Sequence, residues 1–488
     1  MTTNPYLADN FAPVTEEHTE TDLEVEGRLP DYLDGRYLRI GPNPIAANPA
    51  SYHWFLGTGM VHGLRLRGGK AVWYRNRYVR SPAVARRLGE PTTEGRRPVH
   101  AGFDMSPNTN VIGHAGRIFA LVEAGPLPYE LTYELDTLGS CDLDGTLPGG
   151  YTAHPLRDPD SGELHAVSYF FGSANKVQYS VLGTDGRIRR NVEIEVCGSP
   201  MMHAFSLTEN HVVLYDLPVT FDAHKAAKSA PRLFRGPTEA VMKRTIGTRR
   251  VPDKLVAAMM STGGGPDGGA LPYSWDPHYP ARVGVMPRDG VSADVRWFDV
   301  EPCYVYHPLN AYDEGDQVVL DVARHPKMFA TEHRGPNEGP PTLDRWTVDL
   351  SAGKVLEERL DDRGQEFPRI DERLVGKRHR FGYALEFGDA KDGGPPASSR
   401  GLIKHDMREG TTQLRSFGPD SKADEFVFVP SGEAAAEDGG TLMGFVYNGG
   451  TDQSDFVVLD AGTLETAAVV HLPVRVPHGF HGNWIPAS

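Results

Sequence analysis

Residues 345–361, RWTVDLSAGKVLEERLD, read as a strand-like run, a turn rich in Asp, Ser and Gly, and a second strand-like run. One such hairpin fits many folds. Here the pattern returns six more times, at 61–79, 129–143, 177–196, 282–301, 402–418 and 456–473, with further strand-like runs between. Seven equivalent hairpins predict an all-β chain folded as a seven-bladed β-propeller. A solenoid would keep a stricter period, and a β-sandwich would not need so many equivalent hairpins.

Between the hairpins a second pattern recurs: a marked residue, then a strand-like run about ten residues later. The marked residues are Asn110, His154, His203, His307, Glu366, Glu425 and His481, separated by 44, 49, 104, 59, 59 and 56 positions. Only the 104 stands out. It contains a stretch at about 221–280 rich in Ala, Lys, Arg and Met, mostly good helix formers. That stretch is predicted to be a helical cap insertion on one domain spanning 1–488. The chain's last residues, VRVPHGFHGNWIPAS at 474–488, carry no charge after Arg475. Most termini are frayed and polar. Such a segment fits the innermost strand of the closing blade, which would be buried.

Bulk properties narrow the classes. A formal net charge of −15 argues against a nucleic-acid partner. The three cysteines, Cys141, Cys197 and Cys303, are odd in number and far apart, which fits a reducing compartment and no disulfide framework. The stretch MTTNPYLADNFAPV lacks the basic and apolar regions of a signal peptide, and no apolar run approaches a membrane span of about 20 residues. A cytoplasmic location is expected, with membrane contact only at a surface.

If the marked residues share one position per blade, His154, His203, His307 and His481 converge on the axis. Neutral imidazoles suit iron, zinc, copper or nickel. Four of them would leave an octahedral ion two open positions. Ligating histidines usually pass their other N–H to a carboxylate. Glu366 and Glu425 hold matching blade positions, and Glu123 is expected on a neighbouring inner strand. The plainer reading of all three is ordinary surface or turn carboxylates. His53, His62, His114, His165 and His211 read as structural. No G-x-S-x-G, H-E-x-x-H, Walker A or C-x-x-C motif is present.

Along nearly its whole length the chain resembles the carotenoid cleavage oxygenases. The motifs are GRYLRIGPNP at 35–44, NTNVIGHAGRIFALVEAGPLPYEL at 108–131, TAHP at 152–155, SPMMHAFSLTENHVVLYDLPV at 199–219, YHPLNAYDE at 306–314, LDRWTVDL at 343–350, EFPRID at 366–371 and GFHGNW at 479–484. The resemblance implies a seven-bladed propeller holding one Fe(II) on its axis through His154, His203, His307 and His481. It places Glu123, Glu366 and Glu425 behind those histidines and Thr109 near the open coordination site. It also implies a cap of loops and helices that forms an apolar tunnel, with an apolar patch at its mouth touching membranes. The implied reaction takes O2 as co-substrate and cleaves a C=C bond of a conjugated chain into two aldehydes or ketones. No general base is needed, which fits the missing triad. No obligate protein partner is expected.

Within that family the motifs look most like the actinobacterial enzymes that cleave carotenoids or apocarotenoids. The stilbene-cleaving branch typically has a lysine just before the first outer glutamate, to hold a phenol. Here that position is Val122, which favours a polyene substrate. The alternatives are a resveratrol- or lignostilbene-type dioxygenase with another phenol anchor, a retinoid-type isomerohydrolase on the same iron, and a metal-free scaffold. Membrane contact is expected at KLVAAMM, 254–260, beside basic RTIGTRR, 244–250, and KAAK, 225–228. The plainer reading there is a helix packed on the propeller.

Overall fold

In the computed structural model, which describes residues 4–92, 105–228, 230–252, 271–336, 338–388 and 399–487, seven antiparallel sheets of at least four strands form the blades of a propeller. An eighth, two-stranded ribbon lies outside them. Each hairpin predicted from the sequence supplies the third and fourth strands of one blade. Blade 5 illustrates this: Tyr304–Glu314, Gln317–His325, Thr342–Asp349 and Lys354–Asp361 pair in chain order. Trp346 sits opposite Leu320 and is wholly buried, whereas the outermost strand alternates between half-buried and exposed.

The ring is closed twice. Gly482–Pro486 pairs with Gly35–Pro42 as the innermost strand of blade 1, as its composition suggests. Only the approach to it is fully buried, at His478, Phe480, His481 and Gly482, while Asn483–Ile485 are half-buried and Pro486 and Ala487 exposed. Glu24–Gly27 pairs with Thr466–His471 as the outermost strand of blade 7. Segments from the two ends of the described chain thereby complete blades 1 and 7 and tie the ring together, leaving only the short edges of the separate blades. Gly41 marks a close approach beside the first of these closures, since a Cβ there would lie 2.4 Å from the Cα of Gly479.

The expected insertion is only partly helical. Asp222 caps a helix at Ala223–Ala227 by accepting from the amides of His224 and Lys225, and a second helix spans Arg235–Thr245. At the base, Val219–Phe221 pairs with Tyr273–Trp275, the two-stranded ribbon, which the composition did not reveal. The expected membrane segment at 254–260 lies outside the described residues.

Candidate metal centre

In six blades the innermost strand begins within about two residues of its marked residue, and in blade 5 His307 lies inside Tyr304–Glu314, where the pairing is interrupted between Val305 and Pro308. Asn110 opens Asn110–His114, His203 precedes Phe205–Leu207, and His481 precedes Gly482–Pro486. His154, His203, His307 and His481 thereby meet on the axis, with one nitrogen from each within 4.8 Å of the others.

Carboxylates fix three of the rings. His203 Nδ1 donates to Glu123 Oε2 at 2.9 Å, His307 Nδ1 to Glu366 Oε2 at 2.6 Å, and His481 Nδ1 to Glu425 Oε1 at 2.9 Å. An ionised carboxylate only accepts, so each neutral ring carries its proton on Nδ1 and turns an Nε2 lone pair to the axis. His203 Nε2 and His307 Nε2 lie 3.3 Å apart. Two lone pairs facing each other repel unless a cation stands between them. His154 Nε2 is buried without a hydrogen-bond partner among the described residues. Burial, then the neighbouring His203, His481 and His307 rings, push the His154 pKa well below that of an ordinary imidazole. The donor set therefore fits a metal that prefers neutral imidazole.

The glutamates have supports of their own. Glu366 also accepts from His325 Nε2 at 2.8 Å. Burial alone would raise its carboxyl, but the His307 and His325 rings hold it far below the usual carboxylate range. Glu425 is paired with Arg369 as well as His481, and the two outweigh burial in the same way. Glu123 is not on an inner strand. It follows Arg117–Leu121, the second strand of blade 2, which runs antiparallel to the first and so ends where the inner strands begin. A one-strand shift still delivers the carboxylate to the ring. Nothing in the sequence marks His325 for this role, and Arg369 is marked only by lying within EFPRID.

Thr109 and Asn110 take different parts. The Thr109 carbonyl accepts the His481 amide at 3.1 Å, while its hydroxyl donates to Asn108 Oδ1 at 2.9 Å. Asn110 donates to the Ala153 carbonyl and accepts from Asn483, tying blades together without joining the nitrogen cluster.

A cavity of about 380 Å³ ends on His203, His307 and His481. Trp54, Phe55, Val122, Phe367, Phe387 and Phe480 give it an apolar wall. Val122 thus faces the cavity next to Glu123.

Residues 11–486 match the family described as retinal pigment epithelial membrane protein, RPE65. A carotenoid cleavage oxygenase of Mycobacterium tuberculosis is 56% identical over 99% of this chain and 98% of its own length. The chain belongs to the carotenoid oxygenase family. Among solved structures, this oxygenase resembles the Pseudomonas brassicacearum lignostilbene dioxygenase, with a TM-score of 0.82, 27% identity, and coverage of 99% of this chain and 98% of that one. It also resembles the cobalt-substituted apocarotenoid oxygenase of Synechocystis, with a TM-score of 0.77, 25% identity, and 97% coverage of both chains. The sequence reading of family and fold therefore holds for the oxygenase.

Proposed function

We propose that this oxygenase holds one Fe(II) through His154, His203, His307 and His481 and cleaves a C=C bond of a carotenoid or apocarotenoid with O2, giving two carbonyl products. The observation that carries this reading is an apolar cavity ending on His203, His307 and His481, three of the four clustered imidazoles. That the Synechocystis relative is a cobalt-substituted enzyme supports a metal-dependent reading of this chain. Iron, when bound, supplies the activation of O2 beside the substrate. The protein's own residues do the rest. Glu123, Glu366 and Glu425 orient the rings, Thr109 borders the open side, and the aromatic wall excludes water and sets which bond lies over the metal.

The described part of the cap supports membrane contact. Leu233, Phe234 and Val241 are exposed at 84%, 58% and 57%, beside Arg232, Arg235, Lys243 and Arg244. Apolar side chains set among cations suit a membrane surface. Among the described residues no helix is long and apolar enough to cross a membrane. The protein is proposed to be cytoplasmic with peripheral attachment, and its three free cysteines are in keeping with a reducing compartment.

The likeness to lignostilbene dioxygenase keeps stilbenoid cleavage as the second reading. Metal analysis, followed by incubation with β-carotene, an apocarotenal and resveratrol under labelled O2, tests both. Label in the carbonyl products of a polyene is expected. Cleavage of resveratrol with none of the polyenes would overturn the substrate assignment.

A further inference from the structure

The histidine cluster is reached from two sides. Inner strands run the same way along the axis, so residues before and after the histidines face opposite ends. The apolar cavity takes in Tyr306 and Phe480, which directly precede His307 and His481, and Thr109, which precedes the marked Asn110. A second cavity, of about 880 Å³, is built from residues that follow them, including Arg157, Pro308, Arg369 and Asn483. It touches His154, His307 and His481, and His154 lines this cavity but not the first. Exposed Ala115, Gly116, Leu138 and Ala487 line it too, so it opens to water at the end away from the apolar cavity.

We propose that this axial cavity is the route by which the metal ion enters and leaves the histidine cluster. The inference rests on the cluster being a metal site. A divalent ion arrives hydrated, and shedding that water before it meets nitrogen donors is costly. The wall of the first cavity is mostly apolar, and the carboxylates in its lining, Glu123 and Glu366, are already engaged by His203 and by His307 and His325. The axial cavity offers Asn110 and Asn483, and the unpartnered Nε2 of His154 waits at its inner end.

Its charges are nearly balanced. Arg117 pairs with Glu130 at 2.6 Å and Arg369 with Glu425 at 2.9 Å. Arg36 instead donates to the Tyr133 carbonyl, and Arg157 to the carbonyls of Gly113 and Gly162. These two guanidiniums oppose an incoming cation. Such a lining passes a hydrated ion without trapping it.

The test is uptake of limiting Co(II) by metal-free protein, followed by its visible absorption, with circular dichroism checking the fold of each variant. Leu138→Trp combined with Ala487→Trp narrows the outer end and should slow uptake about tenfold, with unchanged final stoichiometry. Arg157→Gln should speed it about two- to threefold, while Arg157→Lys leaves it unchanged. Saturating the apolar cavity with an apocarotenal, without O2, should leave the rate unchanged. Uptake at the wild-type rate in the folded tryptophan pair, or blockage by the apocarotenal, overturns the route. Should the tryptophan pair fail to fold, the two Arg157 variants decide: equal rates overturn it. A wild-type protein that takes up no stoichiometric Co(II) overturns the metal site itself.

Discussion

Arg369 clasps Glu425 with two hydrogen bonds, Nε to Oε1 at 2.9 Å and Nη2 to Oε2 at 3.0 Å. The same carboxylate accepts His481 Nδ1 and, at 2.8 Å, the Gly482 amide. Glu425 is 2% exposed, so removing the arginine leaves a buried charge with too little compensation. Arg369→Met is expected to cost about 3–5 kcal/mol of stability. Arg369→Lys should recover part of it, because an ammonium keeps the charge but loses the fork. Denaturant unfolding of the three proteins measures this, and equal midpoints would contradict it.

Replacing a proposed ligand is a harsher change than replacing its support. His203→Ala and His481→Ala should each abolish turnover and most iron binding. Glu366→Gln should lower metal affinity or activity by about 10–100-fold, since it weakens the bond that orients His307. Iron content and oxygen consumption check both. Wild-type iron and turnover in either alanine variant would remove that histidine from the ligand set.

Val122 faces the apolar cavity beside Glu123, where a polyene needs no hydrogen bond. A buried phenol there would lack a partner, at a cost of about 1–3 kcal/mol. That corresponds to roughly 5–150-fold in kcat/KM favouring a carotenoid or apocarotenoid over resveratrol. Val122→Lys should weaken polyene cleavage by placing a charge in the cavity. Comparison of kcat/KM for the two substrates in both proteins decides the matter.

Leu233 and Phe234 stand in solvent at the start of the longer cap helix. Leu233→Glu with Phe234→Glu should reduce co-sedimentation with anionic liposomes while leaving the thermal melt unchanged. Undiminished binding by the folded double variant would move the membrane contact elsewhere.

Burial lowers the imidazole pKa of His165 and of His405 to about 4, and that of His53 to about 3. Between there and about 6.5 the unfolded chain binds protons that the folded chain does not. Their contribution to stability is therefore complete above about pH 6.5 and falls as the pH drops toward 4. Denaturation midpoints should fall between about pH 7.5 and pH 5, and less steeply in His165→Gln. An identical slope in that variant would rule out His165 as a source.

The sequence by itself determined the propeller and its four histidines. The blade hairpins are legible because the turns between their strands carry Gly, Asp and Ser, and turn and strand signals are local. The inner strands are harder to read: Leu156–Arg157 has two residues and Phe205–Leu207 three, too short for any periodicity. Only the spacing of the marked residues betrayed them. Tertiary structure alone decided that Glu123 serves the ring from a second strand, that His325 shares Glu366, and that Arg369 holds Glu425 across 56 positions of sequence. It alone decided, too, that a second cavity meets His154 from the opposite end of the axis. Turns and strand patterns are written in neighbouring residues, whereas a partner brought together by ring closure leaves no mark on the residues beside it.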